Sequence, residues 1–226
     1  KSGNHDLASL IRLILNNTQG FRLRLSSLEP DTLTKEMCEV LAHERICPHF
    51  HLSVQSGSNR ILKLMKRNYT SETIRTAVNQ LRSVKDDPFI AADIIAGFPG
   101  ETEEEFESAY NFISRLPLTD LHVFPYSKRP GTPAAGYSDQ VPGDVSKARA
   151  ERLRHLAAEK HRSFAEGFIG EELEIVVESG EKEGLLKGVS RNYLDIRFSG
   201  EAALSGQCVM VKSVCWQDES LHARLL

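Results

Sequence analysis

The chain has 226 residues, 40% of them hydrophobic, and its 28 Lys and Arg against 31 Asp and Glu leave a formal charge of -3. This length is enough for one large or two modest domains with buried cores. The near balance of charge excludes a global attraction to nucleic acid or anionic membranes, so any such binding must be local. No apolar stretch approaches the ~20 residues that span a bilayer, and no secretory signal opens the chain, so we expect a cytoplasmic protein.

The first part of the chain alternates short apolar strands with amphipathic helices, an order typical of repeated βα units around a parallel sheet. The pattern predicts about four parallel strands, at Phe21–Ser27, Phe50–Gln55, Phe89–Ala96 and Leu121–Tyr126. It predicts helices at Asp6–Asn17, Thr34–Ala42, Ser58–Lys66, Ser71–Val84 and Thr102–Arg115. Thr102 and Glu105 have the spacing of a capping box, which marks the start of the last of these helices.

The second part of the chain has a different hydrophobic period. Residues 129–144 are rich in Pro and Gly and predict a loop that closes the first domain, and a linking helix follows over residues 145–166. From residue 167 to residue 226 the period is two, which predicts a small barrel of four or five short strands. We therefore expect an α/β fold, a partial (βα) barrel over residues 1–144, followed by a small all-β barrel.

The inner face of the predicted (βα) barrel is unusually polar. Alternation along the strands directs these side chains inward: Arg22, Arg24, Ser26, His51, Ser53, Gln55, Asp93, His122, Phe124 and Tyr126. Leaving several such groups buried without partners would cost about 1–3 kcal/mol each. The lumen therefore holds either a polar ligand or its own hydrogen-bond network, for example Arg24 with Asp93 or His51. We favour a ligand because polar groups recur on all the predicted strands.

Two junctions between strands and helices point to the same lumen. Residues 55–58, Gln-Ser-Gly-Ser, end one strand and cap the next helix with Ser58, so polar side chains and backbone N–H groups face the space above the strand. Gly97 and Gly100 follow another strand and would allow the backbone to approach a flat ligand. The alternative for this glycine pair is a tight turn before a capped helix.

Two catalytic alternatives use other chemistry. His49 and His51 have H-x-H spacing, and with Asp93 and His122 they could form the metal site of a barrel hydrolase. Because His and Asp pairs on strands more often belong to polar networks, we assign no metal ligands. Lys128 follows a strand end, where an amine could form a Schiff base, but its place in a loop favours a solvated side chain.

Four segments resemble the radical S-adenosylmethionine methylthiotransferases. In chain order they are R-L-R-L-S-S-L-E-P, H-L-S-V-Q-S-G-S-N-R-I-L-K-L-M-K-R-N-Y-T, D-I-I-A-G-F-P-G-E-T and L-H-V-F-P-Y-S-K-R-P-G-T-P-A. The first and last of them resemble most the branch that methylthiolates threonylcarbamoyladenosine next to the tRNA anticodon, rather than the branches for isopentenyladenosine or a ribosomal protein. Residues 167–226 resemble the TRAM domain of the family, a small RNA-binding barrel with an OB-like form.

This resemblance implies roles for individual residues. It implies S-adenosylmethionine binding by Ser53, Gln55, Ser56, Asp93, Gly97, Phe98, Phe124 and Tyr126. It makes Arg24 and His51 candidates for orienting the substrate. On the C-terminal barrel it implies tRNA contacts by Arg191, Asn192 and Tyr193. The alternative there is a hairpin turn with a solvated arginine, favoured by the acidic residues nearby, which are Glu171, Glu172, Glu174, Glu178, Glu181 and Glu183.

The resemblance also implies two 4Fe-4S clusters, whose cysteine motifs this sequence lacks. Cys38, Cys47, Cys208 and Cys215 match neither cluster spacing nor a zinc motif. We therefore expect the C-terminal part of a larger enzyme, one that begins inside the barrel and is catalytically silent alone. The rival hypothesis is a non-catalytic RNA-binding module. Loss of the preceding strands would leave an open edge at Phe21–Ser27, which predicts dimerisation through that edge.

Overall fold

The computed structural model describes residues 6–180 and 184–226. Glu181 and Glu183, two of the acidic residues near the predicted RNA-binding tip, lie outside the described residues. The chain divides into two compact units, and the boundary between Ala157 and Ala158 falls inside the predicted linking helix. None of the described helices is long and apolar enough to cross a membrane.

The first unit is built around three parallel strands in the order β1-β2-β3. They are β1 (His49–Gln55), β2 (Phe89–Ala96) and β3 (Asp120–Pro125). The α-helices of the described residues are α1 (Leu7–Asn17), α2 (Lys35–Leu41), α3 (Asn59–Leu64), α4 (Ser71–Val84), α5 (Glu103–Arg115) and α6 (Gly143–Glu166). These bounds confirm the predicted helices, and the last three predicted strands, to within a few residues.

Local chemistry explains where these helices begin. The side-chain oxygens of Thr34, Ser58 and Thr102 each accept the backbone N–H three residues further on. At α5 the side chain of Glu105 also accepts the backbone N–H of Thr102, so the predicted capping box is confirmed. Each cap satisfies a donor that the first turn of a helix leaves unpaired, which ends the preceding loop at a defined residue.

Alternation along β1 divides its side chains between two environments. Phe50, Leu52 and Val54 are fully buried in the apolar core that the helices cover. His51 and Gln55 lie at the alternate positions, on the face of the sheet away from that core. The expected polar face of this strand is therefore present.

The predicted strand at Phe21–Ser27 is wrong, and the sheet has three strands rather than about four. This part of the chain forms only isolated bridges, Leu23 with Ile46 and Leu28 with Leu52. Ser27 lies between the two bridges with a φ of 59°, a left-handed conformation that interrupts the continuous pairing of a strand. The edge strand on which the predicted dimer depended is not formed, and dimerisation itself stays a prediction.

Helix α6 does more than link two domains. The loop before it contains one short 3-10 turn, Pro133–Gly136, and the helix already begins at Gly143. Its first half buries one face within the first unit, through Ser146, Arg149, Ala150, Leu153, Leu156 and Ala157. Their spacing is that of a single helix face, so this half of α6 belongs to the first unit by its packing.

The second unit is a closed five-stranded barrel with strand order β4-β5-β6-β8-β7. Its strands are β4 (Glu172–Gly180), β5 (Leu185–Ser190), β6 (Asp195–Ser199), β7 (Cys208–Gln217) and β8 (Ser220–Leu225). The core contains alternate residues of these strands, including Ile175, Val177, Ile196, Phe198 and Val211. The structure thus confirms the predicted small all-β barrel, and closure leaves no unpaired edge between its strands.

Candidate functional site

A pocket of about 510 Å³ opens at the carboxyl ends of β1, β2 and β3. It is lined by Gln55, Asp93, Ile95, Phe98, Phe124, Pro125, Tyr126, Ser127, Arg129, Thr132 and Ala134. Parallel α/β sheets bind their ligands at this end of the strands, and the volume lies within the range of about 300–1,000 Å³ usual for small-molecule sites. Five of the eight predicted cofactor-binding residues line the pocket, namely Gln55, Asp93, Phe98, Phe124 and Tyr126.

The end of β1 brings Gln55 to the pocket. Gln55 is buried with a φ of 65°, at a point where the pairing register with β2 shifts. The hydroxyl of Ser56 accepts the backbone N–H of Ser58 at 3.1 Å, and the carbonyl of Ser53 accepts the hydroxyl of Tyr69. Ser53 and Ser56 are not among the residues that line the pocket.

The turn after β2 packs against α6. Gly97 has a φ of 73°, and a Cβ at this position would lie 2.5 Å from the side chain of Ser146. Its backbone N–H donates to Oε2 of Glu101 at 2.8 Å. Sequence analysis expected Gly97 to let the backbone approach a ligand. In the structure, the close contact with α6 is itself a reason for a residue without a side chain at this position.

A buried ion pair between Arg149 and Glu101 stabilises this turn. Arg149 donates to Oε2 of Glu101 at 2.8 Å and to its backbone carbonyl at 3.0 Å. Burial raises the pKa of Glu101, although the Gly97 N–H and Arg149 act in the opposite direction. The arrangement fixes the backbone that leads into Phe98 at the wall of the pocket.

Aromatic side chains form one wall. The buried ring of Phe98 meets the ring of Tyr126 edge to face, with centroids 5.3 Å apart. Phe124 remains 53% exposed, so it presents a ring surface to whatever occupies the pocket. The hydroxyl oxygen of Tyr126 is buried and has no hydrogen-bond partner among the described residues. A buried polar atom of this kind is the sort of group that a bound ligand satisfies.

Next to this wall, three polar residues converge, one from each strand. Nε2 of His51 lies 2.9 Å from Oδ1 of Asp93, and Nδ1 of His122 lies 3.7 Å from the same oxygen. The two imidazole rings meet edge to face with centroids 4.5 Å apart. The hydrogen bond between His51 and Asp93 joins two of the polar residues that sequence analysis placed in the lumen.

His49 is not a member of the group formed by His51, Asp93 and His122. His49 is buried and stacked on Phe89, and it lies two residues before His51 on β1, further from the carboxyl ends of the strands. Burial, helped by the positive charge of Arg24, lowers the pKa of His49 to about 4. Arg24 itself is exposed, and neither it nor Lys128 lines the pocket.

The predicted RNA-binding tip lies in the turn between β5 and β6. Arg191 and Tyr193 are exposed, and Tyr193 has a φ of 70°. Asn192 is instead 6% exposed and accepts the hydroxyl of Ser190 at 2.6 Å. The turn thus presents two of the three predicted residues outward, while the third holds the turn together.

Sequence analysis missed the loop side of the pocket. Ser127, Arg129 and Thr132 line it, although no role was predicted for them. Alternation along a strand says nothing about side chains beyond its end, which is why they were passed over. The available signal was their place within L-H-V-F-P-Y-S-K-R-P-G-T-P-A, where the resembling segment continues past the strand.

The described cysteines do not form a metal-binding group. Cys47 is buried, Cys208 is exposed, and Cys38 and Cys215 lie between these extremes. Among the described residues, the group of His, Cys, Asp and Glu side chains close enough to share an ion contains no cysteine. These thiols therefore do not fit an iron–sulfur cluster, which needs several thiolates around one point.

Known proteins are similar to this chain in sequence and in fold. Residues 2–113 match the family model of the radical SAM superfamily. The threonylcarbamoyladenosine tRNA methylthiotransferase MtaB of Treponema pallidum is 41% identical over 94% of this chain and 44% of its own length. The tRNA-2-methylthio-N(6)-dimethylallyladenosine synthase of Magnetococcus marinus is 37% identical over 99% of this chain and 52% of its own length. The chain spans about half the length of the curated relatives it matches.

Among solved structures, the Escherichia coli coproporphyrinogen III oxidase HemN, a radical SAM enzyme, has a TM-score of 0.55. It is 20% identical, over 67% of this chain and 36% of that chain, and so supports the fold alone. The family model matches the first half of the chain, and the curated methylthiotransferases are similar to it over nearly its whole length. The chain is a member of the radical SAM methylthiotransferase family.

Proposed function

We propose that this chain is part of a cytoplasmic enzyme that adds a methylthio group to threonylcarbamoyladenosine next to the anticodon of tRNA. The branch is supported by the Treponema pallidum relative, named for threonylcarbamoyladenosine, at 41% identity against 37% for the dimethylallyladenosine relative. The segments around residues 22–30 and 121–134 resemble the same branch. We propose the activity, substrate and partners for the whole protein, because the curated relatives are about twice as long as this chain.

The pocket at the carboxyl ends of β1, β2 and β3 is the observation that carries this proposal. Five residues that the family resemblance linked to S-adenosylmethionine line one continuous space there. S-adenosylmethionine supplies the radical chemistry of this family when it is bound. The chain would contribute aromatic surface from Phe98 and Phe124 and polar atoms from Gln55 and Asp93, and the Tyr126 hydroxyl would gain a partner.

The chain alone should not methylthiolate tRNA. Its described cysteines do not fit an iron–sulfur cluster, and the family chemistry requires cluster thiolates. We infer that this chain binds and orients S-adenosylmethionine and tRNA, while the cluster ligands belong to the rest of the enzyme. A binding assay, rather than a turnover assay, is therefore the appropriate measurement on the chain itself.

The C-terminal barrel is the part that we assign to tRNA. A closed five-stranded barrel is compatible with the TRAM domain that the sequence resembles, and the exposed Arg191 and Tyr193 offer a phosphate contact and a stacking surface. The formal charge of -3 makes such a local contact necessary, because the whole chain has no excess of positive charge.

Nucleoside analysis of tRNA tests the proposed function. Disrupting the gene in its host should remove 2-methylthio-threonylcarbamoyladenosine from digested tRNA, measured by liquid chromatography and mass spectrometry, while its unmethylthiolated precursor accumulates. The isopentenyladenosine derivatives should not change, and restoring the intact gene should restore the lost nucleoside. Loss of the methylthiolated isopentenyladenosine instead would show that the enzyme belongs to the isopentenyladenosine branch. If neither methylthiolated nucleoside changes, the protein is not an enzyme of either branch, and the hypothesis of a non-catalytic RNA-binding module is favoured.

A further inference from the structure

The proposed function gives a role to Asp93 but does not use the geometry in which Asp93 meets His51 and His122. Each residue comes from a different strand of the sheet, and Asp93 and His122 are direct partners in the β2–β3 register. One nitrogen of each imidazole and one carboxylate oxygen lie within 4.8 Å of one another. Three ligand-type atoms thus surround one small volume of the lumen.

The internal distances are those of a ligand shell. Zn²⁺ and similar ions bind imidazole nitrogen and carboxylate oxygen at about 2.0–2.2 Å, which places neighbouring ligand atoms about 3 Å apart. Nε2 of His51 and Oδ1 of Asp93 are 2.9 Å apart, and Nδ1 of His122 lies 3.7 Å from that oxygen. The His122 side chain is 48% exposed and has room to rotate toward the other two ligands.

We propose that His51, Asp93 and His122 bind a divalent transition-metal ion, with Zn²⁺ as its simplest representative. Two imidazoles and one carboxylate form a ligand set suited to Zn²⁺, Co²⁺ or Fe²⁺, and unsuited to Ca²⁺ or Mg²⁺, which take oxygen ligands. Three protein ligands leave a coordination position open. Asp93 also lines the pocket, so that position faces the space in which a small molecule would sit.

This site is independent of the proposed iron–sulfur chemistry. It contains no cysteine, and its ligands come from β1, β2 and β3 of this chain alone. We expect a moderate affinity, because Asp93 is the only anionic member of the ligand set.

Titration of the chelator-treated chain with Co²⁺ and Zn²⁺ tests the proposal. Co²⁺ should give a 1:1 visible absorption spectrum without a thiolate-to-cobalt charge-transfer band, and an excess of Zn²⁺ should abolish that spectrum. His122→Ala should weaken binding at least ~10-fold, because it removes a direct ligand. This variant is informative because a half-exposed side chain can be truncated with little effect on folding, as circular dichroism would verify. Asp93→Asn is a second variant that retains the side-chain volume.

The matched control is His155→Ala, which removes a histidine that is 76% exposed on α6. It should leave affinity and stoichiometry unchanged. In nitrogen-15 spectra of the histidine rings, Zn²⁺ should shift the signals of His51 and His122 while that of His155 stays in place. Absence of 1:1 binding, or equal affinity in the chain, His122→Ala and Asp93→Asn, would overturn the proposal and leave the three residues as a hydrogen-bond network. Neither result would alter the tRNA analysis that tests the proposed function.

Discussion

Arg149 and Glu101 form an ion pair of 2.8 Å in which the two side chains are only 7% and 4% exposed. The same carboxylate oxygen accepts the N–H of Gly97, so one contact connects α6 to the turn that leads to the pocket. Removing one partner of a buried pair leaves an uncompensated charge, which costs about 3–5 kcal/mol. The shape of the pocket therefore depends on a helix that lies behind it.

Arg149→Met should lower the free energy of unfolding of the first unit by about 3–5 kcal/mol. Arg162→Met is the matched control, because Arg162 pairs with Glu166 on the same helix at the same 2.8 Å, but with 64% of the arginine side chain exposed. Water screens that pair, so its loss should cost less than about 1 kcal/mol. Urea denaturation followed by circular dichroism measures both, and equal losses would refute the role of the buried pair.

Gly97→Ala should destabilise the fold by about 1–3 kcal/mol, because the new Cβ would lie 2.5 Å from Ser146 in a backbone with a φ of 73°. Gly136→Ala is the control, since nothing lies within 4 Å of a Cβ there. Adding Ser146→Gly should recover part of the loss, because it removes the nearest atoms. The prediction fails if chemical denaturation gives Gly97→Ala and Gly136→Ala the same stability.

His49 should make the stability of the fold depend on pH in the acidic range. Its pKa is about 4 in the folded chain against 6.5 for an ordinary histidine, because burial disfavours the charged ring. Between these values the unfolded chain binds a proton that the folded chain does not bind. The free energy of unfolding therefore falls as the pH drops from about 6.5 to about 4, by up to ~3 kcal/mol.

His49→Gln should remove this part of the pH dependence, whereas His155→Gln, at an exposed position, should retain it. Denaturation curves of the three proteins at a series of pH values give the comparison. A profile for His49→Gln parallel to that of the unchanged chain would show that another group is responsible.

Tyr193→Ala should weaken tRNA binding if the barrel contacts a loop base, since stacking on an aromatic ring contributes about 1–3 kcal/mol per base. Arg191→Ala should reduce the salt dependence of binding by about one counterion. Val214→Ala, on an exposed face of β7, is the control. Fluorescence anisotropy with labelled tRNA measures all three, and unchanged affinity in Tyr193→Ala would place the RNA contact elsewhere.

Asn192 should respond differently from its two neighbours. Its side chain is buried and accepts the hydroxyl of Ser190, so Asn192→Ala should lower stability and affect affinity only through the shape of the turn. Sequence analysis treated these three residues as one surface because burial cannot be read from three consecutive polar letters in a turn. The assignment to tRNA therefore depends on two side chains.

Local signals predicted most of the elements. The Thr102–Glu105 capping box, the apolar alternation of β1, and the change of period before the C-terminal barrel all correspond to observed structure. The segment Phe21–Ser27 has the same alternation and still does not form a strand. Strand pairing is a contact with distant residues, and the left-handed Ser27 prevents a continuous ladder.

The sequence by itself determined the family, the helix starts and the polar character of the sheet face, because motifs, caps and alternation depend on residues near one another in the chain. Only the tertiary structure decided which polar groups meet: Asp93 with His51 and His122, Gly97 with Ser146, and Glu101 with Arg149. These partners are separated by about 30 to 50 positions, and their meeting depends on strand order and helix packing, which no local pattern encodes.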